Sequence, residues 1–284
     1  MIVVTGATGQ LGRLVVEGLL KKVPPAEVVA AVRDPEKAAE FAARGVQVRR
    51  ADYDDPASLA AAFAGADKVL LISSSTPGGR LAQHEAVVAA AREAGVGHLA
   101  YTSVLAADTT KLSLAPDHKA TEEAIRASGV PFTFLRNGWY TENYAQTIAQ
   151  ALATGSFVGS AGEGRLGGVP RIDFAEAAVE VLTGDGHVGQ VYELAGDEPW
   201  SYADFAAAVT AASGTQVTYQ DLPIEQYRQI LVGAGLPEPV AAMLADADRG
   251  IAEGELASTS GDLRRLIGRP TTPLTEAVAA LVKG

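Results

Sequence analysis

Three evenly spaced glycines follow the first apolar segment of the chain. Ile2-Val3-Val4 is a β-branched run, the stretch Thr5-Gly6-Ala7-Thr8-Gly9-Gln10-Leu11-Gly12 comes directly after it, and residues 11–20 have apolar side chains at helical spacing. This order predicts a strand, a tight turn and a helix. Such a helix points unsatisfied backbone N–H groups and the positive end of its dipole at the turn, where glycines let a phosphate approach. The Gly-x-x-Gly-x-x-Gly spacing therefore predicts a variant dinucleotide fingerprint. The alternative is a turn that only closes a βα unit.

Composition excludes several other kinds of site. The chain has 284 residues, which fits one large or two small domains. Cysteine is absent, so disulfides, thiolate metal sites and a cysteine nucleophile are excluded. Because the four histidines (His84, His98, His118 and His187) form no closely spaced pair, we expect no metal site. The net charge of −11 disfavours nucleic acid and anionic membranes as partners.

The hydropathy pattern carries no membrane or export signal. No segment reaches about 18 consecutive apolar residues, the length that suggests a transmembrane helix. No basic region precedes an apolar stretch at the start of the chain, as it would in a signal peptide. We therefore expect a cytoplasmic protein with a small-molecule partner, either a monomer or a homodimer.

Strand and helix patterns alternate through the first half of the chain. Asp34-Pro35 and Asp55-Pro56 are typical helix starts, and glycines 45, 65, 95 and 129 stand where helices end. Apolar strands separated by helices predict an α/β fold, a Rossmann-like doubly wound parallel sheet. The predicted strands are Ile2–Thr5, Glu27–Val32, Val46–Arg49, Lys68–Ile72, His98–Ser103 and Phe132–Leu135, and the predicted helices lie near 10–22, 35–43, 56–64, 80–94 and 117–127.

The rhythm changes after about residue 136. Residues 153–169 are glycine-rich and predict irregular structure, and Ser201 predicts a helix cap with Asp204 in the first turn. We expect a nucleotide-binding domain at 1–152, to which 165–196 returns, and a smaller, mostly helical substrate-side region at 197–284. The other predicted elements are helices at 143–152, 173–182, 201–212, 224–234, 237–247 and 273–282 and strands at 191–194 and 216–219.

Polar residues follow three of the predicted strands. Arg33 ends the second strand, where an arginine suits a 2′-phosphate and so favours NADP(H) over NAD(H). Asp52 follows the third strand and could accept a hydrogen bond from the adenine amino group. Ser73, Ser74 and Ser75 close the fourth strand, where ligands of open α/β sheets bind. The alternatives are a solvated arginine, a polar loop and helix-capping serines.

Together with these residues, five further segments carry a family resemblance across the whole chain. They are Leu71-Ile72-Ser73-Ser74-Ser75, Tyr101-Thr102-Ser103, Leu135-Arg136-Asn137-Gly138-Trp139-Tyr140-Thr141-Glu142-Asn143-Tyr144, Tyr192-Glu193-Leu194-Ala195-Gly196 and Leu266-Ile267-Gly268-Arg269-Pro270-Thr271-Thr272. The chain resembles the NmrA-like branch of the atypical short-chain dehydrogenase/reductase superfamily. More closely, it is similar to the bacterial NAD(P)H:quinone oxidoreductases of that branch.

The resemblance implies NADPH as the cofactor, with neither flavin nor metal. It places the pyrophosphate on residues 6–11, the 2′-phosphate on Arg33 and the nicotinamide ribose side on residues 73–75. It also implies that Asn137, Gly138, Trp139, Tyr140, Thr141 and Glu142 border the nicotinamide and that Arg165 adds a phosphate contact. The implied activity is direct hydride transfer from NADPH to a quinone.

The sequence lacks the Tyr-x-x-x-Lys pair with which typical members of the superfamily move a proton. Leu114 and His118 stand where the pair would be. A quinone needs less help, because hydride addition gives a delocalised, weakly basic hydroquinone anion. His118 is the candidate proton donor or hydrogen-bond donor, since histidine titrates near neutral pH. The hypothesis places the quinone between the nicotinamide and Trp139/Tyr140. The alternative for His118 is a local hydrogen bond at the start of a helix. The alternative for Trp139 and Tyr140 is that these aromatic side chains close a hydrophobic core.

Two other functions remain open at this point. The missing Tyr/Lys pair also permits an NADP(H)-sensing regulator that acts on partner proteins without turnover. Reduction of another activated carbonyl or double bond fits the same fold and cofactor. NADPH oxidation in the presence of a quinone separates the regulator from the enzymes.

Overall fold

A parallel sheet is the central element of the chain, whose computed structural model describes residues 1–74, 76 and 78–283. The strands are β1 (Ile2–Thr5), β2 (Val28–Val32), β3 (Gln47–Arg50), β4 (Lys68–Leu71), β5 (His98–Val104), β6 (Phe132–Asn137), β7 (Ser156–Gly159), β8 (Arg165–Leu166), β9 (Val191–Leu194), β10 (Trp200–Ser201) and β11 (Thr218–Asp221). Within the described residues the sheet has seven strands in the order β3-β2-β1-β4-β5-β6-β9. All pairs from β3 to β6 are parallel.

Helices connect these strands. They are α1 (Gln10–Leu19), α2 (Ala39–Ala43), α3 (Pro56–Phe63), α4 (Arg80–Glu93), α5 (Ala115–Ser128), α6 (Ala145–Thr154), α7 (Arg171–Thr183), α8 (Tyr202–Ser213), α9 (Ile224–Gly233), α10 (Glu238–Ala252), α11 (Asp262–Ile267) and α12 (Leu274–Lys283), with 3₁₀ turns at Pro25–Glu27, Pro35–Ala38 and Thr141–Tyr144. None of the helices in the described part of the chain is long and apolar enough to cross a membrane.

The chain divides into two compact units. The first unit comprises residues 1–107, 116–137 and 171–192, and the second comprises 108–115, 138–170 and 193–284. The predicted division into a nucleotide-binding domain at 1–152 and a substrate-side region concerns function, and it stays a prediction.

The first unit buries its strands on both faces. β2 and the apolar positions of β1, β4 and β5 are almost entirely inaccessible to water, as continuous hydrophobic strands in a helix-covered parallel sheet should be. α1 packs closely on α7, because Gly18 has no side chain at the contact. A Cβ at this position would lie 2.7 Å from Val179 Cγ2. β1 lies between β2 and β4, so the chain reverses its direction across the sheet after β3. This switch point is where open α/β sheets bind ligands.

The second unit is held by aromatic packing and two small sheets. β7 pairs in parallel with β11, and β8 pairs antiparallel with β10. Around them Tyr144, Phe157, Trp200, Tyr202 and Phe205 make edge and stacked ring contacts. Ser201 caps α8, as predicted, and the structure shows that it forms a reciprocal capping box with Asp204.

Most predicted elements are confirmed, and two predictions need correction. The glycines that were predicted to end helices, at positions 45, 65, 95 and 129, all have positive φ. Residues 153–169 are not wholly irregular, because they contain β7 and β8. The six-residue helix α11 has no counterpart among the predicted helices. Its apolar residues are too few to produce a recognisable period.

Candidate nucleotide-binding edge

The glycine turn between β1 and α1 has the geometry of an anion cradle. Gly6 has φ +57°, a conformation that strongly favours glycine. The N–H of Gly9 donates to the carbonyl oxygen of Gly6 at 2.9 Å, which closes the turn. A Cβ on Gly12 would lie 2.8 Å from Ala7 Cα and closer still to the carbonyl oxygen of Gly6. Gly12 therefore lets the helix pack against the turn, as the third glycine of a fingerprint does.

The first turn of α1 has unused backbone donors. Within the described residues, the N–H groups of Thr8, Gln10 and Leu11 make no hydrogen bond to the protein. No side chain caps the helix, and its first turn contains no acidic residue. The donors and the helix dipole therefore face an anion without competition from the protein. This arrangement fits the diphosphate of a dinucleotide.

The neighbouring strand ends are tied together by hydroxyl groups. The hydroxyl of Tyr53 donates to Thr5 Oγ1 at 2.5 Å and lies 2.9 Å from Ile72 O. Thr5 Oγ1 also accepts from the N–H of Ile72 and donates to Leu70 O. These bonds join the ends of β1 and β4 to the loop after β3. Burial raises the pKa of Tyr53, so the hydroxyl keeps its proton.

Arg33 and Asp52 follow adjacent strands at this edge. Arg33 is exposed directly after β2 and makes no ion pair among the described residues. Its guanidinium is therefore available to a phosphate. Asp52 follows β3 and is half-buried. Its carboxylate accepts from the N–H of Asp54 and lies 3.8 Å from Arg50 Nη2.

The serines after β4 also lie at this edge. Ser73 N–H donates to Thr102 Oγ1 at 2.9 Å, and Ser74 Oγ donates to Gln83 Oε1 at 2.5 Å. Ser75 lies outside the described residues. The first unit thus brings together the glycine turn, Arg33, Asp52, Ser73 and Ser74, because the carboxyl ends of parallel strands share one edge.

His118 is buried in α5 of the same unit. Its Nδ1 lies 2.8 Å from the hydroxyl of Tyr101, and only 7% of the residue is exposed. Burial and the positive charge of Arg80 lower the pKa of His118 to about 3. The expectation that His118 titrates near neutral pH is therefore wrong, and the imidazole is neutral. A role as a hydrogen-bond donor to substrate stays a prediction.

Two of the residues around His118 had no predicted role. Tyr101, in β5, contacts both His118 and His84, whose ring centroids lie 5.9 and 5.4 Å from that of Tyr101. His84 was only one of four scattered histidines in the sequence. The segment 101–103 contributes to the family resemblance, but the sequence predicts no functional role for Tyr101. No sequence spacing links residues on α4, β5 and α5.

Asn137 ends β6 beside a buried ion pair. Arg136 Nη2 lies 2.7 Å from Glu122 Oε2, with both side chains less than a tenth exposed, and Ser103 Oγ donates to Glu122 Oε1. This network joins α5 to the ends of β5 and β6. It thereby fixes the strand end that carries Asn137.

The other predicted site residues belong to the second unit. Gly138, Trp139 and Tyr140 form a half-buried loop, with an isolated parallel bridge from Tyr140 to Val169, and Thr141 and Glu142 begin a 3₁₀ turn. Thr141 Oγ1 is buried and has no hydrogen-bond partner among the described residues. Arg165 donates from both terminal nitrogens to Asp204 Oδ2, at 3.1 and 2.8 Å.

Acidic and imidazole groups do not gather into a metal centre in the described part of the chain. The sheet topology and the donors of α1 define a class: the Rossmann-like dinucleotide-binding proteins.

Comparison with known proteins narrows this class. A family described as NAD(P)H-binding matches residues 6–185. Quinone oxidoreductase 2 of Escherichia coli is 50% identical over 281 residues, which cover 99% of this chain and 98% of that protein. NAD(P)H azoreductase of Xenophilus azovorans is 33% identical over 97% of this chain and 96% of its own. The chain belongs to the NAD(P)H-binding family, and its resemblance to the bacterial quinone oxidoreductases is confirmed over the full chain.

Solved structures agree with this assignment. The NADPH-dependent quinone oxidoreductase of Escherichia coli complexed with NADPH has a TM-score of 0.97 at 50% identity, covering 99% of this chain and 100% of that one. Triphenylmethane reductase of Citrobacter sp. complexed with NADP(H) has a TM-score of 0.95 at 43% identity, with coverage of 99% and 100%. The negative transcriptional regulator NmrA, in complex with NAD, has a TM-score of 0.77 at 18% identity, which shows the fold alone.

Proposed function

We propose that this chain is an NADPH-dependent quinone reductase that transfers hydride directly, without flavin or metal. The observation that carries the proposal is the set of unused backbone donors at the start of α1, in a chain half identical to a quinone oxidoreductase. The backbone donors support binding of the nucleotide, and the similarity to a quinone oxidoreductase supports a quinone as the hydride acceptor.

The first unit supplies most of the proposed nucleotide contacts. We assign the diphosphate to residues 6–11, the 2′-phosphate to Arg33, the adenine amino group to Asp52 and the nicotinamide ribose side to residues 73–75. Bound NADPH would supply a hydride from nicotinamide C4. Residues 137–142 are proposed to border the nicotinamide. Arg165 would have to leave Asp204 before it could contact a phosphate.

The chain's own chemical task is then modest. Hydride addition turns a quinone into a hydroquinone monoanion, and one proton from water completes the hydroquinone. Because the monoanion is a weak base, no Tyr/Lys pair is needed. The protein binds and orients the two reactants, and positioning alone can supply much of the rate. A neutral His118 can donate a hydrogen bond but is no imidazolium acid.

Steady-state NADPH oxidation tests the proposal. The purified protein is assayed with a benzoquinone, a naphthoquinone, an azo dye and a triphenylmethane dye, the last two chosen because relatives carry those names. We expect quinones to give the highest kcat/KM. A protein that binds NADPH but turns over none of the four acceptors would support the regulatory alternative. A higher kcat/KM for either dye would make that dye class the substrate.

Gly9→Ala tests the phosphate cradle in the same assay. Gly9 has an extended backbone that alanine accepts, and its Cβ would lie 3.1 Å from Gly6 O with no other neighbour within 4 Å. The fold should therefore survive, while the methyl group narrows the approach to the N–H donors. We expect the KM for NADPH to rise about tenfold or more, the scale of one lost charge-assisted hydrogen bond. Gly233→Ala, in open space at the end of α9, is the control.

Trp139→Phe and Tyr140→Phe test the substrate-facing role proposed for that loop. Because the same loop is proposed to border the nicotinamide, a substrate contact predicts a rise in the KM for quinone that exceeds any rise in the KM for NADPH. We also propose a cytoplasmic location, where NADPH is regenerated, and a monomer or homodimer without nucleic-acid or membrane partners. The net charge of −11 supports the last point, and light scattering on the purified protein tests the oligomeric state.

A further inference from the structure

Tyr101 lies between two buried histidines that come from helices on either side of it in the chain. His84 is in α4, Tyr101 is in β5 and His118 is in α5, and all three are less than a tenth exposed. A neutral imidazole has one protonated nitrogen, which donates, and one unprotonated (bare) nitrogen, which accepts. The hydrogen-bond partners of the ring determine which tautomer is present. A backbone donor decides the tautomer of His84, and the contact with Tyr101 carries the assignment to His118.

The assignment begins at a backbone amide, because an amide N–H can only donate. Ser74 N–H donates to His84 Nε2 at 2.9 Å, so that nitrogen is bare and Nδ1 carries the proton. His84 Nδ1–H then donates to Thr121 Oγ1 at 2.9 Å, and the hydroxyl of Thr121 donates its own hydrogen bond to Asp117 O at 2.7 Å. Burial, together with the charge of Arg80, lowers the pKa of His84 to about 3, which keeps the ring neutral.

The same logic extends to His118. The hydroxyl of Tyr101 lies 3.5 Å from His84 Nδ1 and 2.8 Å from His118 Nδ1. Since His84 Nδ1 already carries a proton, it cannot accept from Tyr101. The hydroxyl also has the side chains of Thr121 and Ser73 as hydrogen-bond partners. We assign its proton to His118 Nδ1, at 2.8 Å, which places the remaining proton of His118 on Nε2. Nε2 makes no hydrogen bond among the described residues.

We propose that Tyr101 is a positioning residue that locks His118 in the Nε2–H tautomer, so that His118 offers a neutral N–H donor to the oxygen on which negative charge develops in the acceptor. This inference rests on the proposed quinone reduction for its substrate, but the tautomer itself depends only on the first unit. His118 keeps its proton throughout. The electron pair of the hydride becomes the charge of the hydroquinone monoanion, and water supplies the last proton.

Long-range ¹H–¹⁵N NMR of the full, ¹⁵N-labelled chain measures the tautomer without any activity. The variants His84→Gln and His118→Gln assign the two rings. We expect wild-type His118 to show a protonated Nε2 and a bare Nδ1, with no titration between about pH 5 and pH 8. In Tyr101→Phe we expect the signals to move toward a mixture of tautomers.

Tyr192→Phe is the matched control, because it removes a second tyrosine–histidine pair from the same unit. The hydroxyl of Tyr192 lies 2.9 Å from His187 Nδ1. This variant should change the signals of His187 and leave those of His118 as in the wild type. A response of His118 in both variants would mean a general loosening and would overturn the lock.

Kinetics give the functional readout. In Tyr101→Phe we expect kcat for quinone reduction to fall about 10- to 100-fold at an unchanged Kd for NADPH, the scale of a weakened donor to developing charge. His118→Gln, which keeps an N–H donor, should retain more activity than His118→Ala.

The failures are distinguishable. An Nδ1–H tautomer in wild-type His118, or an unchanged tautomer in Tyr101→Phe, would overturn the inference whatever the activity. A wild-type enzyme that fails to reduce any quinone would instead overturn the proposed function.

Discussion

Replacing Arg33 with glutamine should remove the preference for NADPH over NADH. Arg33 is exposed and makes no ion pair among the described residues, so no carboxylate must be displaced when a phosphate binds. A charge-assisted hydrogen bond of this kind contributes about 1.5–3 kcal/mol. At about 1.4 kcal/mol per decade, this corresponds to a loss of about 10- to 150-fold in NADPH affinity. NADH lacks the 2′-phosphate, so its affinity should stay nearly constant.

Calorimetric titration with both nucleotides measures this effect, and Arg44→Gln is the matched control. Arg44 is also exposed, but it is paired with Glu17 at 2.5 Å, and its loss changes the net charge of −11 by the same single unit. The control therefore corrects for the effect of the altered net charge on the binding of an anionic nucleotide. Equal losses for NADPH and NADH in Arg33→Gln, or a loss no larger than that in Arg44→Gln, would refute recognition of the 2′-phosphate by Arg33.

Three further substitutions test the fold that supports the site. Gly12→Ala should destabilise the protein by about 1–3 kcal/mol, because the new Cβ meets backbone atoms of Gly6 that cannot move aside, and chemical denaturation measures the loss. Glu122→Ala should cost about 3–5 kcal/mol, because it removes a buried carboxylate that is paired with Arg136 and accepts a hydrogen bond from Ser103. Burial raises the pKa of Asp248 from 3.8 to about 6, so the contribution of this group to the free energy of unfolding should fall by about 3 kcal/mol as pH rises from about 4 through 6. Asp248→Asn should remove that contribution from the pH dependence of the wild type.

The substitutions at Gly12 and Glu122 each have a control variant. Gly233→Ala adds a methyl group in open space and should be neutral or slightly stabilising, so an equal loss there would contradict the steric argument for Gly12. Glu225→Ala removes one of the two carboxylate partners of the more exposed Arg228 and should cost much less than Glu122→Ala. The sign for Asp248 follows from linkage: the folded state holds the proton longer, so stability falls as pH rises. An unchanged pH slope in Asp248→Asn would contradict this.

Local signals account for what the sequence predicted well. A glycine at a helix end needs a positive φ, and an aspartate before a proline caps a helix start, whatever the rest of the chain does. The predicted turn at Gly6 and the predicted caps at Asp55 and Ser201 are of this kind, and the structure confirms them. The doubly wound sheet was predictable because its buried strands are continuously apolar.

Distant partners account for what was missed. The strands β7 and β8 pair with β11 and β10, which lie tens of residues further along the chain, so their own short segments carry little signal. The neutral state of His118 is a second example. Its pKa depends on burial and on Arg80, which come together only in the folded unit. The tautomer lock by Tyr101 likewise needs three elements in contact.

Single-turnover transfer from NADPH deuterated at the transferred C4 position tests the central claim most directly. The purified, flavin-free protein is loaded with labelled or unlabelled NADPH and mixed with a quinone while the absorbance of the reduced nicotinamide is followed. The account predicts one nicotinamide oxidised per quinone reduced, with a clearly slower rate for the deuterated cofactor. A rate that is insensitive to deuterium, or one that requires added flavin, would contradict direct hydride transfer.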